Sequence, residues 1–207
     1  MNLPNRYRQH YRRHAATIAE RLQQFQQVPE TEYLMELCFC LLTPQSKAEH
    51  AQKVMARLME LGFPETELDP TPILRDPAHY IRFHNQKGER LRRVAARRQQ
   101  ITDQLASSEP TQAKREWLVK NVNGLGWKEA SHLLRNIGHL DLAIIDRHIL
   151  KHMLGCGAIA EIPATIGTRR TYLQLEQAFF HLAESFGLQP QELDLLFWSL
   201  EEGSVRK

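Results

Sequence analysis

The sequence predicts an all-α protein. Three observations carry this expectation. No segment alternates apolar and polar residues for more than a few positions. No Asn-Gly or Asp-Gly pair sits between two strand-like runs. Apolar residues recur instead at helical spacing along almost the whole chain, separated by short breaks at Gly, Pro and capping residues.

Nine or ten helices follow in order. Tyr7 to Gln27 reads as an amphipathic helix, with Tyr11, Ile18, Leu22 and Phe25 on or near one face. Thr31 to Leu42 is apolar all round and reads as a core helix. Ser46-Lys47-Ala48-Glu49 has the form of a capping box opening a helix that runs to Gly62. Pro64 to Pro72 is a connector rich in proline and acids. Asp76-Pro77 starts a short helix, as N-cap and first-turn proline. Gln86 to Ser107 reads as one basic helix, and Gln112 to Val122 as the next, ending at a glycine break. Trp127 to Ile137 follows, closed by Gly138. A helix starts near Ile145 or Asp146 and ends at Gly155, and Arg169 to Phe186 and Gln191 to Glu202 complete the set.

The 207 residues are enough to bury a core without disulfides or metals. No apolar run approaches the ~20 residues of a membrane span. The basic N-terminus lacks the apolar stretch of a signal peptide, and Glu20 with the following Gln tract fits a surface helix better than a transit peptide. Three cysteines, Cys38, Cys40 and Cys156, form no CxxC pair and argue against a disulfide framework or a zinc site. A reducing cytoplasm is the expected compartment. The net charge is only +3, but between Arg82 and Arg98 seven cations oppose the single Glu89. Such a cluster is either a solvated helix face or the footprint of a polyanion.

The break at Asn123-Gly124-Leu125-Gly126 is the most informative stretch. A helix, a GxG and a second helix make a tight αα turn, with bare amides at the N-terminus of the second helix. That end is a phosphate seat, although a purely structural corner has the same sequence. Lys128 falls in the first turn, where the helix dipole disfavours a cation. The place is poor for helix stability but suits an amine that must act neutral, as in Schiff-base chemistry. The alternative is a lysine pointing outward to phosphate or water. Asp146 comes 18 residues later (146 − 128), after Leu142-Ala143-Ile144-Ile145, and opens the next helix. It reads as an N-cap whose carboxylate is available to the same cleft. His10/His14 and His148/His152 are i, i+4 pairs without an HExxH glutamate or a third ligand, so no metal is expected.

GLGWKEASHLLRNIG followed by AIIDRHIL resembles the helix-hairpin-helix DNA glycosylases, and among them the type 2 8-oxoguanine DNA glycosylase/AP lyases. LLTPQSKAEHA, RFHNQK and the C-terminal LLFWSLEEGSVRK are similar to the same family. The resemblance implies two helical subdomains with an active-site cleft between them. We expect a barrel subdomain at 30–149, holding the hairpin at about 112–138, and a second made of 1–29 plus 150–207. It implies excision of 8-oxoguanine flipped out of double-stranded DNA, with Lys128 as nucleophile and Asp146 as its proton acceptor and charge stabiliser. Gly124 and Gly126 would hold a DNA phosphate. Phe83 and Trp198 are candidate walls of the base pocket, and Lys207 a candidate contact within it. Trp198 read locally is equally a core aromatic, and Lys207 a frayed end. Gln45 resembles the residue that related enzymes insert into the duplex, or it simply precedes the Ser46 cap. No cofactor is implied, and with Cys156 the only cysteine beyond residue 40 the iron–sulfur loop of other relatives cannot form. A cytoplasmic, nucleoid-associated monomer is expected. The rival readings are a same-fold glycosylase for another lesion and a non-catalytic DNA-binding module; the latter has no use for a paired Lys128 and Asp146.

Overall fold

The computed structural model describes residues 3–205. These residues form α1 (Asn5–Gln26), α2 (Tyr33–Leu42), α3 (Ala48–Glu60), α4 (Thr71–Arg75), α5 (His84–Ala96) and α6 (Arg98–Ala106). They continue with α7 (Thr111–Asn121), α8 (Trp127–Asn136), α9 (Arg147–Gly155), α10 (Arg169–Phe186) and α11 (Pro190–Glu202). Two 3-10 turns, Glu30–Glu32 and Pro77–His79, complete the elements, and no strand occurs among the described residues. No helix among them is long and apolar enough to cross a membrane.

The chain packs as two units, one of residues up to Val28 together with those from Gly126 onward, the other of Pro29–Leu125. The later division therefore falls inside the hairpin turn rather than at the expected 149/150. Packing explains the place. The Arg135 guanidinium of α8 lies 4.4 Å over the Phe25 ring of α1. The turn after α8 also approaches α1 closely: at Gly138, φ +95, a Cβ would stand 3.2 Å from Gln26 Cα. So α8 is bound to the terminal helices.

In the Pro29–Leu125 unit, α2 is the core. Leu37, Cys38, Cys40, Leu41 and Leu42 are wholly buried, which is why this helix shows no polar face. Around it pack α3 through Val54 and Leu58, α5 through Leu91 and Val94, and α6 through Ile101 and Leu105. The expected single helix over 86–107 is two, because Arg97 (φ −114, ψ 17) leaves the helical region. Its guanidinium donates to Asn121 O of α7 at 2.6 Å. No Gly or Pro marks this break, so pattern alone does not reveal it. The expected Ser46 capping box does not form either. Lys47 precedes α3 without a side-chain cap, and Ser46 Oγ instead accepts from Arg82 N (3.0 Å) and Lys87 Nζ (3.1 Å). Asp76 behaves as expected, its Oδ1 accepting Ala78 N at 2.9 Å.

In the other unit, α11 is the central helix, contacting α1, α9 and α10. Phe197 is wholly buried, with its ring 5.1 Å from Tyr7 and 6.3 Å from Phe179. Residues 142–145 run without helix between α8 and α9, yet all four are buried. Buried backbone polar groups need partners, and α10 and α11 supply them. Glu176 Oε1 accepts Ala143 N (2.8 Å), and the Tyr172 hydroxyl accepts Ile145 N (3.1 Å) while donating to Ala143 O (2.8 Å). Gln191 Nε2 donates to Leu142 O. A buried ion pair joins α8 to α11, with Arg135 Nη1 3.4 Å from Asp194 Oδ2. Burial outweighs that guanidinium and pushes the Asp194 carboxyl up from 3.8 to about 7.

Two expectations follow. Tyr172→Phe deprives Ile145 N and Ala143 O of their partner, and should lower stability by about 1–3 kcal/mol in urea unfolding; an unchanged midpoint would show that the hydroxyl does not hold the segment. For Asp194 the folded state keeps the proton longer than the unfolded chain. Its stabilising contribution is therefore full below 3.8 and is lost as pH rises through about 7. The wild type should lose stability relative to Asp194→Asn across that window, and parallel pH curves would contradict this.

Candidate active site

The hairpin turn forms as the glycines require. Leu125 N donates to Val122 O at 3.2 Å, closing the turn. Gly124 has φ +95, and a Cβ there would fall 2.6 Å from Arg90 Cδ and Nε. The positive φ is what favours glycine here, since the Arg90 end is flexible and could move aside. Arg90 Nε also donates to Asn123 Oδ1 at 3.3 Å, so a guanidinium from α5 lies directly against the turn. Gly126 precedes α8 in extended backbone, is exposed, and donates its N–H to Glu129 Oε2 at 3.3 Å. A carboxylate thus already occupies the anion position at this helix end.

Lys128 lies in the first turn of α8, with a side chain 27% exposed, and its Nζ is 3.8 Å from Glu129 Oε1. Asp146 is the N-cap of α9 in extended backbone (φ −128, ψ −176). Its Oδ1 accepts His148 N at 2.8 Å and Ile149 N at 2.9 Å, satisfying two of the unpaired amides of the helix start. Lys128 and Asp146 belong to the same unit, and both are felt by the buried Asp194. Asp146 raises the Asp194 carboxyl and Lys128 lowers it, behind the larger effects of burial and Arg135. Asp194 Oδ1 has no hydrogen-bond partner among the described residues. Lys128, Asp146 and the buried Asp194 therefore belong to one unit, and the two ionic groups act on the Asp194 carboxyl in opposite directions.

Trp198 stands one turn beyond Asp194 on α11. It is half-buried, with its ring 5.2 Å from that of His148. His148 Nδ1 in turn lies 3.4 Å from Glu201 Oε2. Its neighbour Phe197 is wholly buried, whereas Trp198 is only half-buried. Phe83 and Gln45 belong to the Pro29–Leu125 unit, and Lys207 lies outside the described residues. Phe83 is 44% exposed at φ 60, and Gln45 is exposed at φ 55. Both are non-glycine residues in left-handed backbone, an uncommon conformation. Among the described residues no group of three or more His, Cys, Asp or Glu side chains is placed to hold a metal ion.

Sequence reasoning missed Asp194, Arg135, Tyr172 and Lys87. Asp194 left a signal, as the one charge within Leu193–Phe197, where a solvated carboxylate would break the apolar run. Lys87 left none, because it is one of seven cations between Arg82 and Arg98 and nothing in the pattern sets it apart.

A family model described as 8-oxoguanine DNA glycosylase matches residues 18–188. An 8-oxoguanine DNA glycosylase/AP lyase of Methanocaldococcus jannaschii is 39% identical over 196 residues, spanning 92% of this chain and 91% of that one. One from Fusobacterium nucleatum is 34% identical over 209 residues, spanning 95% and 94%. The crystal structure of the Methanocaldococcus jannaschii 8-oxoguanine glycosylase/lyase in complex with a 15mer DNA containing 8-oxoguanine superposes with a TM-score of 0.81. It is 36% identical and covers 93% of each chain. The Thermotoga maritima 8-oxoguanine DNA glycosylase superposes with a TM-score of 0.83 at 31% identity, covering 98% of this chain and 97% of that one. With a matching family model and relatives at 34–39% identity over nine-tenths of its length, the chain belongs to the 8-oxoguanine DNA glycosylase family.

Proposed function

We propose that the protein excises 8-oxoguanine from double-stranded DNA and then nicks the abasic strand. The observation that carries this reading is the placement of Lys128 and Asp146 in one unit, both within electrostatic reach of Asp194. A binding module has no need of that pairing.

The glycosidic bond is out of reach inside the stack, so the damaged nucleotide must be flipped out. Lys128 gives up a proton and its Nζ attacks C1′ of the sugar. The C1′–N9 bond breaks and the base leaves with the bonding pair, which a proton then neutralises. Asp146 takes the lysine proton and opposes the positive charge that develops on the sugar. Ring opening gives an imine between Nζ and C1′. Loss of a C2′ proton then expels the 3′ phosphate and nicks the strand. The turn at Gly124 and Gly126, with Arg90 against it, is suited to a backbone phosphate, which exchanges with the Glu129 carboxylate at Gly126 N. Trp198 offers an accessible indole face for the base, Phe83 a second exposed ring, and Lys207 a contact to the base. No step requires a metal, an iron–sulfur cluster or a second copy of the chain. The reading is of a monomer acting at cytoplasmic, nucleoid DNA.

Borohydride reduction tests the reading on duplexes carrying 8-oxoguanine, an abasic site or no damage. Adducts should form on the first two and vanish in Lys128→Gln. An adduct on the abasic duplex alone would transfer the activity to another lesion, and none on either would exclude both enzymatic readings. Deleting Lys207 should slow release of 8-oxoguanine more than nicking of a preformed abasic site; equal losses would remove it from base recognition.

A further inference from the structure

Lys87 lies within the most basic stretch of the chain, yet it is only 2% exposed. Its ammonium has three N–H donors, and all three are used. Nζ donates to Leu42 O at 2.7 Å, to Pro44 O at 2.6 Å and to Ser46 Oγ at 3.1 Å. Leu42 ends α2, so one of these acceptors is a carbonyl that its helix leaves unpaired. Lys87 therefore caps a helix 45 residues away in sequence and grips the turn that follows it.

The grip extends to a second turn. Ser46 Oγ accepts Arg82 N at 3.0 Å as well as Lys87 Nζ, so both acceptor positions of the hydroxyl are occupied. The 43–46 and 80–83 turns are stitched together at one atom. Each carries a non-glycine residue at positive φ, Gln45 (φ 55) in one and Phe83 (φ 60) in the other, and these are the only two in the described chain. Both are exposed, so the unusual backbone does not serve core packing. The Arg82 guanidinium lies 4.9 Å over the Phe83 ring, adding a cation to an aromatic face. Backbone of this kind persists only where the surroundings over-determine it, and Lys87 with Ser46 supplies that surrounding. A buried ammonium is a costly way to fill such a place when an apolar side chain of like volume would do. Burial, with the Arg90 guanidinium nearby, lowers Lys87 from 10.5 to about 8.

We propose that Lys87 is a positioning residue, fixing the two turns as one rigid platform that presents Gln45 to the gap a flipped nucleotide leaves in duplex DNA. The proposal rests on the function given above and on the duplex-inserting reading of Gln45 that the resemblance implies, and adds to them a residue that touches neither base nor sugar. A duplex closes its own gap unless a side chain holds it open. A single strand has no such gap, so its processing does not depend on the platform.

The test compares nicking of an abasic site in duplex with nicking of the same site in single-stranded DNA, together with release of 8-oxoguanine opposite cytosine. Lys87→Met should slow both duplex reactions about tenfold or more while single-stranded nicking stays within about twofold. Ser46→Ala, a smaller change that leaves two of the three contacts to Lys87, should shift the same ratio in the same direction. Gln45→Ala should also do so, and Lys87→Met added to Gln45→Ala should cost little more than Gln45→Ala alone, because both remove one device. Equal loss on duplex and single strand, or additive losses in the double variant, would reduce Lys87 to a stability residue. No loss on the duplex would also overturn the proposal. If the wild type nicks abasic duplex but releases no 8-oxoguanine, the proposed lesion falls, and the abasic ratio still decides for or against Lys87.

Discussion

Asp146 Oδ1 accepts the amides of His148 and Ile149, and this cap fixes the carboxylate to which we assign the lysine proton. A cap is only as well placed as the chain that delivers it. Here the delivering segment, 142–145, is buried without helix, so every polar group in it must be satisfied from outside. Tyr172, Glu176 and Gln191 do this from α10 and α11. The C-terminal helices thus act as the mould that sets where α9 starts. Preorganising a charged group by fixed hydrogen bonds avoids the cost of moving it at the moment of reaction.

The second constraint is electrostatic. Arg135 links three helices, lying over Phe25 of α1, donating to its neighbour Asn136 and pairing with Asp194 of α11. The pair is wholly interior, and removing one partner of such a pair leaves a buried charge uncompensated. Asp194 is also the group through which Lys128 and Asp146 are jointly felt. The packing of α8 on α1, which places the division between the units inside the hairpin, follows from the same arginine.

Much of this was legible in the sequence, and for physical reasons. The glycine break, Asp146 at a helix start and the Arg169–Phe186 helix are local, set by capping and turn chemistry within a few residues. What escaped depends on contacts distant in sequence. Arg97 breaks a continuous basic pattern by reaching Asn121 O, 24 residues on. Ser46 has every mark of a capping box, yet its hydroxyl is claimed by Arg82 and Lys87. Lys87 looked like one more surface cation, and only burial distinguishes it from Arg90 or Arg93. Asp194 is the exception, since a lone carboxylate within Leu193–Phe197 is a local signal of a buried acid. Gln45 and Phe83 were picked out by resemblance, whereas their shared left-handed backbone is a property no composition reveals.

The central claim is that one amine, Lys128, carries the covalent chemistry. Its most direct test is to digest the borohydride-reduced protein–DNA adduct and locate the sugar remnant by peptide mass spectrometry. The account predicts a single modified peptide, with the remnant on Lys128. A remnant on another lysine, or spread over several, would contradict it.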